Sequence, residues 1–546
     1  MRVSVKKTEG KDGDVRNDCD VLIVGAGPSG AVAAQEFARA GMRVTCLEQG
    51  DWPDYERARA GYADFELVSR KHWNWDPNQR RAGGDYPIDD AESDVTALMY
   101  NGVGGSTVLY AAHWERFLPS DFRTRTMDGV GDDWPIGYWD LEPYYDEVER
   151  QFAVSGLEGD PALPPSTPPP LPPVPLNKLG RRGAEALNRL GWHWWPGSNA
   201  IATAEYGPLH ACAQRTACPF GCPTGAKASA DRTHWQSLAK DQVRLTVRAT
   251  VEQILLDDRG RAAGVTYLDA DGVRHEVRAG VVVLCANAIG TPRIMLASAD
   301  GSGVANSSGL VGRRLMMHPF GNAIGIFDED LESWRGPLGQ YLHSLEFYET
   351  DRSRGFVRGA KWNLIPSGAP LSFMLPGTWG DEPVWGPNFT RLLRERLGHS
   401  AIWGVICEDL PDPANRVLLD DGAAAGGVPG VRIQYRTSDN TRAMMAWHLE
   451  RLSEVLDAMG ATKKIFNSGL RGTGWHLLGT AVMGEDREAS VVDPHGQCHD
   501  VPNLYVFDGS VFPTSSGVNP TATIAANALR CARSLVARRR DVEVTS

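Results

Sequence analysis

Long apolar runs are missing from this chain. No stretch approaches the roughly 18 uninterrupted apolar residues of a spanning helix, so no transmembrane segment is expected. Cysteine is scarce, nine in 546 residues, which excludes a disulfide scaffold and predicts a cytoplasmic setting. The opening residues, Met1–Asp18, are polar and charged; with neither an apolar core nor twin arginines they predict no secretory leader. Basic residues are also in deficit. Lys and Arg number 56 against 68 Asp and Glu, a net charge of −12, and no basic stripe stands out, which argues against a nucleic-acid partner. The acidic balance fits a cationic guest and equally serves solubility. No internal repeat is visible. What remains, 42% apolar and 23% charged over a length beyond one hydrophobic core, describes a globular chain of two packed domains.

The richest local pattern comes first. Val21–Val24 reads as a buried strand, Gly25, Gly27 and Gly30 form a G-x-G-x-x-G turn, and an Ala-rich helix over Ala31–Ala40 leads to a second strand, Arg43–Leu47. Each glycine answers a steric demand: a tight turn, room for a pyrophosphate against the backbone, and close helix–strand packing. The helix start aims N–H groups and a positive dipole end at the phosphates. Glu48, about 20 residues on, is placed to accept a ribose 2′-OH and repel a 2′-phosphate. The unit predicts an ADP-containing dinucleotide without choosing between NAD and FAD.

Further along, Gly159–Pro175 is a polyproline-rich strap that cannot continue a helix or a central strand. Helical periodicity flanks it over Trp134–Gly156 and Leu176–Leu190. Val247–Leu256 and Ala263–Leu268 read as a hairpin, Val281–Leu284 as a buried strand, and Pro292 as first-turn proline of a helix reaching Met295. Arg432–Thr437 reads as a strand and Asp439–Gly460 as a long amphipathic helix. Near the end, Leu504–Phe507 is strand-like and Ala522–Leu535 helical, with Asn519 as N-cap and Pro520 at the first helical position. Two residues could do chemistry here. His476, amid apolar and glycine neighbours, is the side chain suited to removing an alcohol proton near neutrality. Asn519 has a plain alternative as a helix cap.

Taken together, Gly25–Gly30 with Glu48, Gly102-Val-Gly-Gly-Ser-Thr107, Ala286-Asn-Ala-Ile-Gly-Thr-Pro292, His476 and Asp508-Gly-Ser510 through Asn519-Pro520 resemble the glucose–methanol–choline (GMC) flavin oxidoreductases, in that family's order and over nearly the whole chain. Arg116-Phe-Leu-Pro-Ser-Asp-Phe122 and Asp140-Leu-Glu-Pro-Tyr-Tyr145 are similar to the bacterial FAD glucose, gluconate and sorbitol dehydrogenases within it. The resemblance implies an α/β fold in which a Rossmann-like FAD-binding domain (16–60, 95–120, 235–330, 470–540) is joined to a discontinuous substrate domain (61–94, 121–234, 331–469) built on an antiparallel sheet and helices. It implies FAD held by the first βαβ unit, by Gly104, Gly105, Ser106 and Thr107, by Asp508 and Gly509, and by Asn519 and Pro520, with Val251 bracketing the adenine. His476 and Asn519 match the family's catalytic pair, the base and the holder of the substrate oxygen. Some relatives carry a flavin-linking histidine after the glycine loop; here Val108-Leu109-Tyr110 stand instead, which implies non-covalent FAD, with His113 packed near the substrate.

Cys212, Cys218 and Cys222 resemble the trio that holds an iron–sulfur cluster in the family's glucose dehydrogenases. Pro223-Thr-Gly-Ala-Lys227 resembles a loop of cluster-free alcohol oxidases, and buried thiols or one disulfide form the competing reading. The activity implied is oxidation of a hydroxyl on a sugar, polyol, aminoglycoside or other glycoside, with oxygen, a quinone or a dye-type compound left open as electron acceptor. Two alternatives are a non-redox lyase of the same fold and a dehydrogenase subunit serving a cytochrome. Trp114, Trp379, Trp385 and Trp403 are candidates for stacking on sugar rings.

Overall fold

A computed structural model describes residues 17–56, 73–238, 243–368, 386–425 and 427–545. Trp379 and Trp385 lie outside them, as do residues 1–16. Strand β1 (Cys19–Val24) buries Val21, Leu22 and Ile23 completely. A strand apolar on both faces needs cover on both, so it belongs inside a parallel sheet. It pairs parallel with β2 (Val44–Leu47) on one side and β8 (Arg274–Leu284) on the other, with Val21 opposite both Val44 and Val281. β5 (Val243–Thr246) extends the sheet beyond β2, and β16 (Leu504–Val506) pairs with β8, both parallel. The first half of β8 instead pairs antiparallel with β7 (Ala262–Leu268), which pairs with β6 (Thr250–Leu256). Helix α1 (Pro28–Arg39) packs on this sheet and on α6 (Thr521–Thr545), which also meets α2 (Tyr138–Gln151).

A second, six-stranded sheet is antiparallel in the order β15 (Lys463–Asn467), β9 (Phe320–Ile326), β12 (Ser400–Cys407), β11 (Ala360–Ile365), β10 (Leu342–Ser344), β4 (Trp195–Pro196). Because side chains alternate across a strand, Ala360, Trp362 and Leu364 of β11 join the core under α3 (Lys178–Leu190) and α5 (Asp439–Met459), whereas Asn363 and Ile365 face a cavity. A small sheet of β13 (Arg416–Ala425), β14 (Val428–Tyr435) and β3 (Ile88–Ser93) completes the fold. The architecture is the expected α/β arrangement, a Rossmann-like sheet beside an antiparallel one. Among the described residues no helix is long and apolar enough to cross a membrane.

Four local readings change. Pro292 sits in the middle of α4 (Asn287–Ala297), not in its first turn. The helix starts early because Asn287 Oδ1 accepts the N–H groups of Ile289 and Gly290 at 2.9 and 3.3 Å. Proline cannot donate to the carbonyl of Ala288, and Thr480 Oγ1 does so instead at 2.9 Å. Asn519 does not cap α6: the Pro520 carbonyl accepts the first helical bond, from Ile524 N–H at 2.9 Å, and the Asn519 amide is engaged elsewhere. The helix expected from Trp134 starts only at Tyr138, since Trp134 is committed to the core, donating to Thr514 Oγ1. Trp114 and Trp403 are core residues, 1% and 0% exposed, and not a stacking surface. The polyproline strap is pinned by buried Leu171 and Val174 and by Asp160, which bridges His193 and His343 at 2.8 and 3.0 Å.

Candidate active site

One cavity of about 400 Å³ lies beyond the carboxyl ends of β1 and β2, where open α/β sheets take their ligands. Its first part is built of glycine. Gly25 has φ +106°, and a Cβ there would come 2.4 Å from the Cys285 carbonyl oxygen. Gly30 backs onto Gly25, whose oxygen would lie 2.1 Å from an added Cβ. Gly27 alone is open, with nothing nearer than Gly105 Cα at 3.9 Å. The three glycines therefore divide into a tight turn, an open position and a close packing contact. α1 starts beside them with Pro28 at its first position and no side-chain cap, leaving N–H groups for an anion.

Glu48 is buried and turns Oε2 back on this loop, accepting Ala26 N–H at 2.8 Å, while Oε1 accepts Gly50 N–H at 2.9 Å just beyond β2. Burial raises its pKa, against the pull of those bonds. Gly104 and Gly105, φ +98° and +55°, carry a second glycine loop. Thr107 Oγ1 ties that loop to Ala230 N–H at 3.0 Å, and the Ser106 hydroxyl accepts Tyr100 N–H at 3.3 Å. Asp508 binds Ser510 N–H at 2.9 Å and Thr291 Oγ1 at 2.6 Å, clamping Gly509 to α4. Val251 lines the cavity while its carbonyl accepts Arg293 Nη2 at 2.8 Å. Arg293 went unnoticed in the sequence. It is 1% exposed, lies over the Tyr86 ring and leaves Nε and Nη1 without hydrogen-bond partners among the described residues. A glycine cradle, free helix N–H groups and an underused buried guanidinium fit an anionic dinucleotide.

The remainder of the cavity brings together residues far apart in the chain. Asn519 Nδ2 lies 3.1 Å from His476 Nε2. On its other side His476 Nδ1 is 2.9 Å from His318 Nδ1, with the rings edge to face. Burial pushes the His476 imidazole well below its ordinary pKa of 6.5, and the neighbouring His318 ring, the Lys361 ammonium and the His113 ring further oppose a positive charge there. His113 lines the cavity, as expected, and is held down to about 3 mainly by burial. Phe320, Ile365, Ile406 and Leu338 supply an apolar wall, and Trp75 meets Trp475 edge to face at 4.9 Å. Pro520 and Thr521 place the N-terminus of α6 on the same cavity. Sequence reasoning missed His318, Lys361, Asn363 and the Trp75–Trp475 pair. The available signals were a lysine and an asparagine two positions apart in an otherwise apolar strand, and a tryptophan adjoining His476.

Of the cysteine trio, Cys218 touches this wall through Leu338. Cys212, Cys218 and Cys222 are free thiols, so the disulfide alternative is set aside. Their sulfurs accept N–H groups from Gln214, Leu338 and Lys227 at 3.4, 3.3 and 3.2 Å. Among the described residues no three His, Cys, Asp or Glu side chains are grouped to hold a metal ion.

The GMC oxidoreductase family profile matches in two parts, over residues 19–320 and 411–528. The chain is 39% identical to 2-methyl-1,2-propanediol dehydrogenase of Mycolicibacterium austroafricanum, covering 96% of each protein. It is 29% identical to the fructose dehydrogenase large subunit of Gluconobacter japonicus, over 95% of this chain and 97% of that one. Among solved structures, pyridoxine 4-oxidase from Mesorbium loti shares the fold, with a TM-score of 0.67 at 18% identity over 95% of this chain and 99% of that one. Glycine loops, buried histidines and two full-length relatives converge, and the chain belongs to the GMC oxidoreductases, enzymes that use FAD to oxidise CH–OH groups.

Proposed function

We propose that this chain oxidises a hydroxyl group of a sugar- or polyol-like alcohol to the aldehyde or ketone, with His476 and Asn519 as its catalytic residues. The observation that carries this reading is the His476–Asn519 pair, set in the same cavity as both glycine loops. Bound FAD supplies the hydride acceptor at flavin N5. His476 Nε2 takes the hydroxyl proton, and its depressed pKa keeps the imidazole neutral and ready. Asn519 Nδ2 donates to a lone pair of the same oxygen, which leaves the hydroxyl hydrogen directed at the base. The N-terminus of α6 favours negative charge beside it.

Asn363 and His318 line the cavity, and each keeps a buried atom, Asn363 Oδ1 and His318 Nε2, without a partner among the described residues, an acceptor and a ring nitrogen suited to a second hydroxyl, which supports a diol or polyol over a plain alcohol. Gly25, Gly27, Gly30, Glu48, Gly104–Thr107, Val251, Asp508, Gly509 and Pro520 would hold the cofactor. Its attachment would be non-covalent, since the Tyr110 hydroxyl is committed to the Ala228 carbonyl and His113 to Lys361. Residues of the β1–β2–β5–β8–β16 sheet would form the cofactor domain and those of the six-stranded sheet the substrate domain. Nine cysteines without a disulfide support work in the cytoplasm.

The test is anaerobic titration of the yellow holoenzyme with diols, sugars, polyols and aminoglycosides, followed by turnover with a dye acceptor beside an oxygen electrode. Bleaching by at least one of these alcohols is expected. A flavin that none of them reduces would refute the reading.

A further inference from the structure

Lys361 lies on the cavity face of β11, and its side chain is fully buried. Its ammonium is 2.7 Å from Glu115 Oε1, 2.6 Å from Asn519 Oδ1, 3.1 Å from His113 Nδ1 and 3.3 Å from Gln340 Oε1. Glu115 is bonded in turn to the Gln340 amide. Burial pushes the Glu115 carboxyl up, but the Lys361 ammonium and its hydrogen bond, with His113 and His343, together outweigh this and its pKa is lowered. The two form an ion pair. His113, His318, His343 and His476 are the other ionisable groups whose charges bear on this cluster.

An ammonium donates hydrogen bonds and cannot accept them. Asn519 must therefore turn its oxygen to Lys361, which leaves its NH₂ group facing His476 Nε2. A donor at that position fixes Nε2 as an acceptor. The single proton of the neutral ring then resides on Nδ1, where it is donated to His318 Nδ1 at 2.9 Å. His318 accepts there and carries its own proton on Nε2, which meets no partner among the described residues and lines the cavity. From Lys361 through Asn519 and His476 to His318, every bond runs in one direction, and the lysine sets it.

We propose that Lys361 is a positioning residue: through the Asn519 amide it holds His476 in the tautomer whose Nε2 carries no proton and can take one from the substrate. The proposal rests on the reading of His476 as the proton acceptor. Without the ammonium, the amide can turn over and offer its oxygen to Nε2, which favours the tautomer already protonated there. That ring is no longer a base toward the cavity.

Removing the lysine alone would strand a buried carboxylate, so the variant to make is Lys361→Met combined with Glu115→Gln. The rate of flavin reduction at saturating alcohol is expected to fall about 10- to 100-fold with a much smaller change in KM. In an Asn519→Ala background the same two changes should cost less than about threefold, because the lysine then has no amide to orient. The acid limb of the pH–rate profile should move to higher pH, since a cation that opposes the imidazolium is gone. A loss that is fully additive with Asn519→Ala, or an unmoved acid limb, would overturn the proposal. A neutron structure of the unmodified holoenzyme is the check that needs no variant. Deuterium on His476 Nδ1 and none on Nε2 is expected; the reverse would overturn the proposal. If His476→Ala stops turnover while the double variant keeps full rates, the lysine assignment fails alone; if His476→Ala keeps near-normal rates, the underlying reading fails.

Discussion

A Cβ built on Gly105 would lie 2.7 Å from the Cα of Gly27, so the two glycine loops meet backbone to backbone. Side chains at the three glycines of the first loop should consequently fail in different ways. Gly27→Val projects into open space and is expected to give a folded, colourless protein. Gly30→Ala drives a methyl group to 2.1 Å from the Gly25 oxygen and is expected to lower stability by about 1–3 kcal/mol. Flavin absorbance and thermal unfolding of the two variants, side by side, separate these outcomes. A Gly27→Val protein with stoichiometric FAD would contradict the assignment.

His476→Ala removes the base and leaves the glycine cradle untouched. The rate of flavin reduction should drop by about 10²–10⁴-fold while the yellow colour and the unfolding midpoint persist. Rapid mixing with the best alcohol of the panel under anaerobic conditions measures it.

The pH dependence carries a definite sign. The active form of His476 is the neutral ring, and its pKa lies well below 6.5 through burial, reinforced by His318, Lys361 and His113. A depressed pKa keeps that form populated above it, so activity should hold from 6.5 upward and decline only as the pH falls through the lowered value. An acid limb in kcat/KM with its midpoint at or above 6.5 would disprove this.

Thr480→Val should leave the buried Ala288 carbonyl without a donor, because Pro292 cannot supply one. The expected cost is about 1–3 kcal/mol, read as a lower urea midpoint at unchanged slope. As α4 also presents Arg293 to the cavity, weaker flavin retention should accompany it. No change in the midpoint would show that the helix tolerates the unpaired carbonyl.

The parts of this molecule that were legible in the sequence are local ones. The strand–glycine–helix unit around Gly25–Gly30 is contiguous, and its steric demands leave a pattern that a reader can recover. His476 and Asn519 were found through a family's order of motifs, not through spacing. Lys361 and His318 escaped because their partners lie 158 residues away in each case, joined by strand register and loop closure that no window of sequence contains. The start of α4 escapes for the same reason: its central proline is tolerated because Thr480, 192 residues beyond Ala288, supplies that carbonyl with a donor.

The alternation along β11 has a consequence for how this enzyme can change. Ala360, Trp362 and Leu364 are mortar for the fold, whereas Asn363 and Ile365 look the other way, toward whatever guest is admitted. Natural variation or a designed library confined to Asn363, Ile365, Phe320 and Ile406 could therefore retune the choice of alcohol while the masonry behind that wall stays as it is.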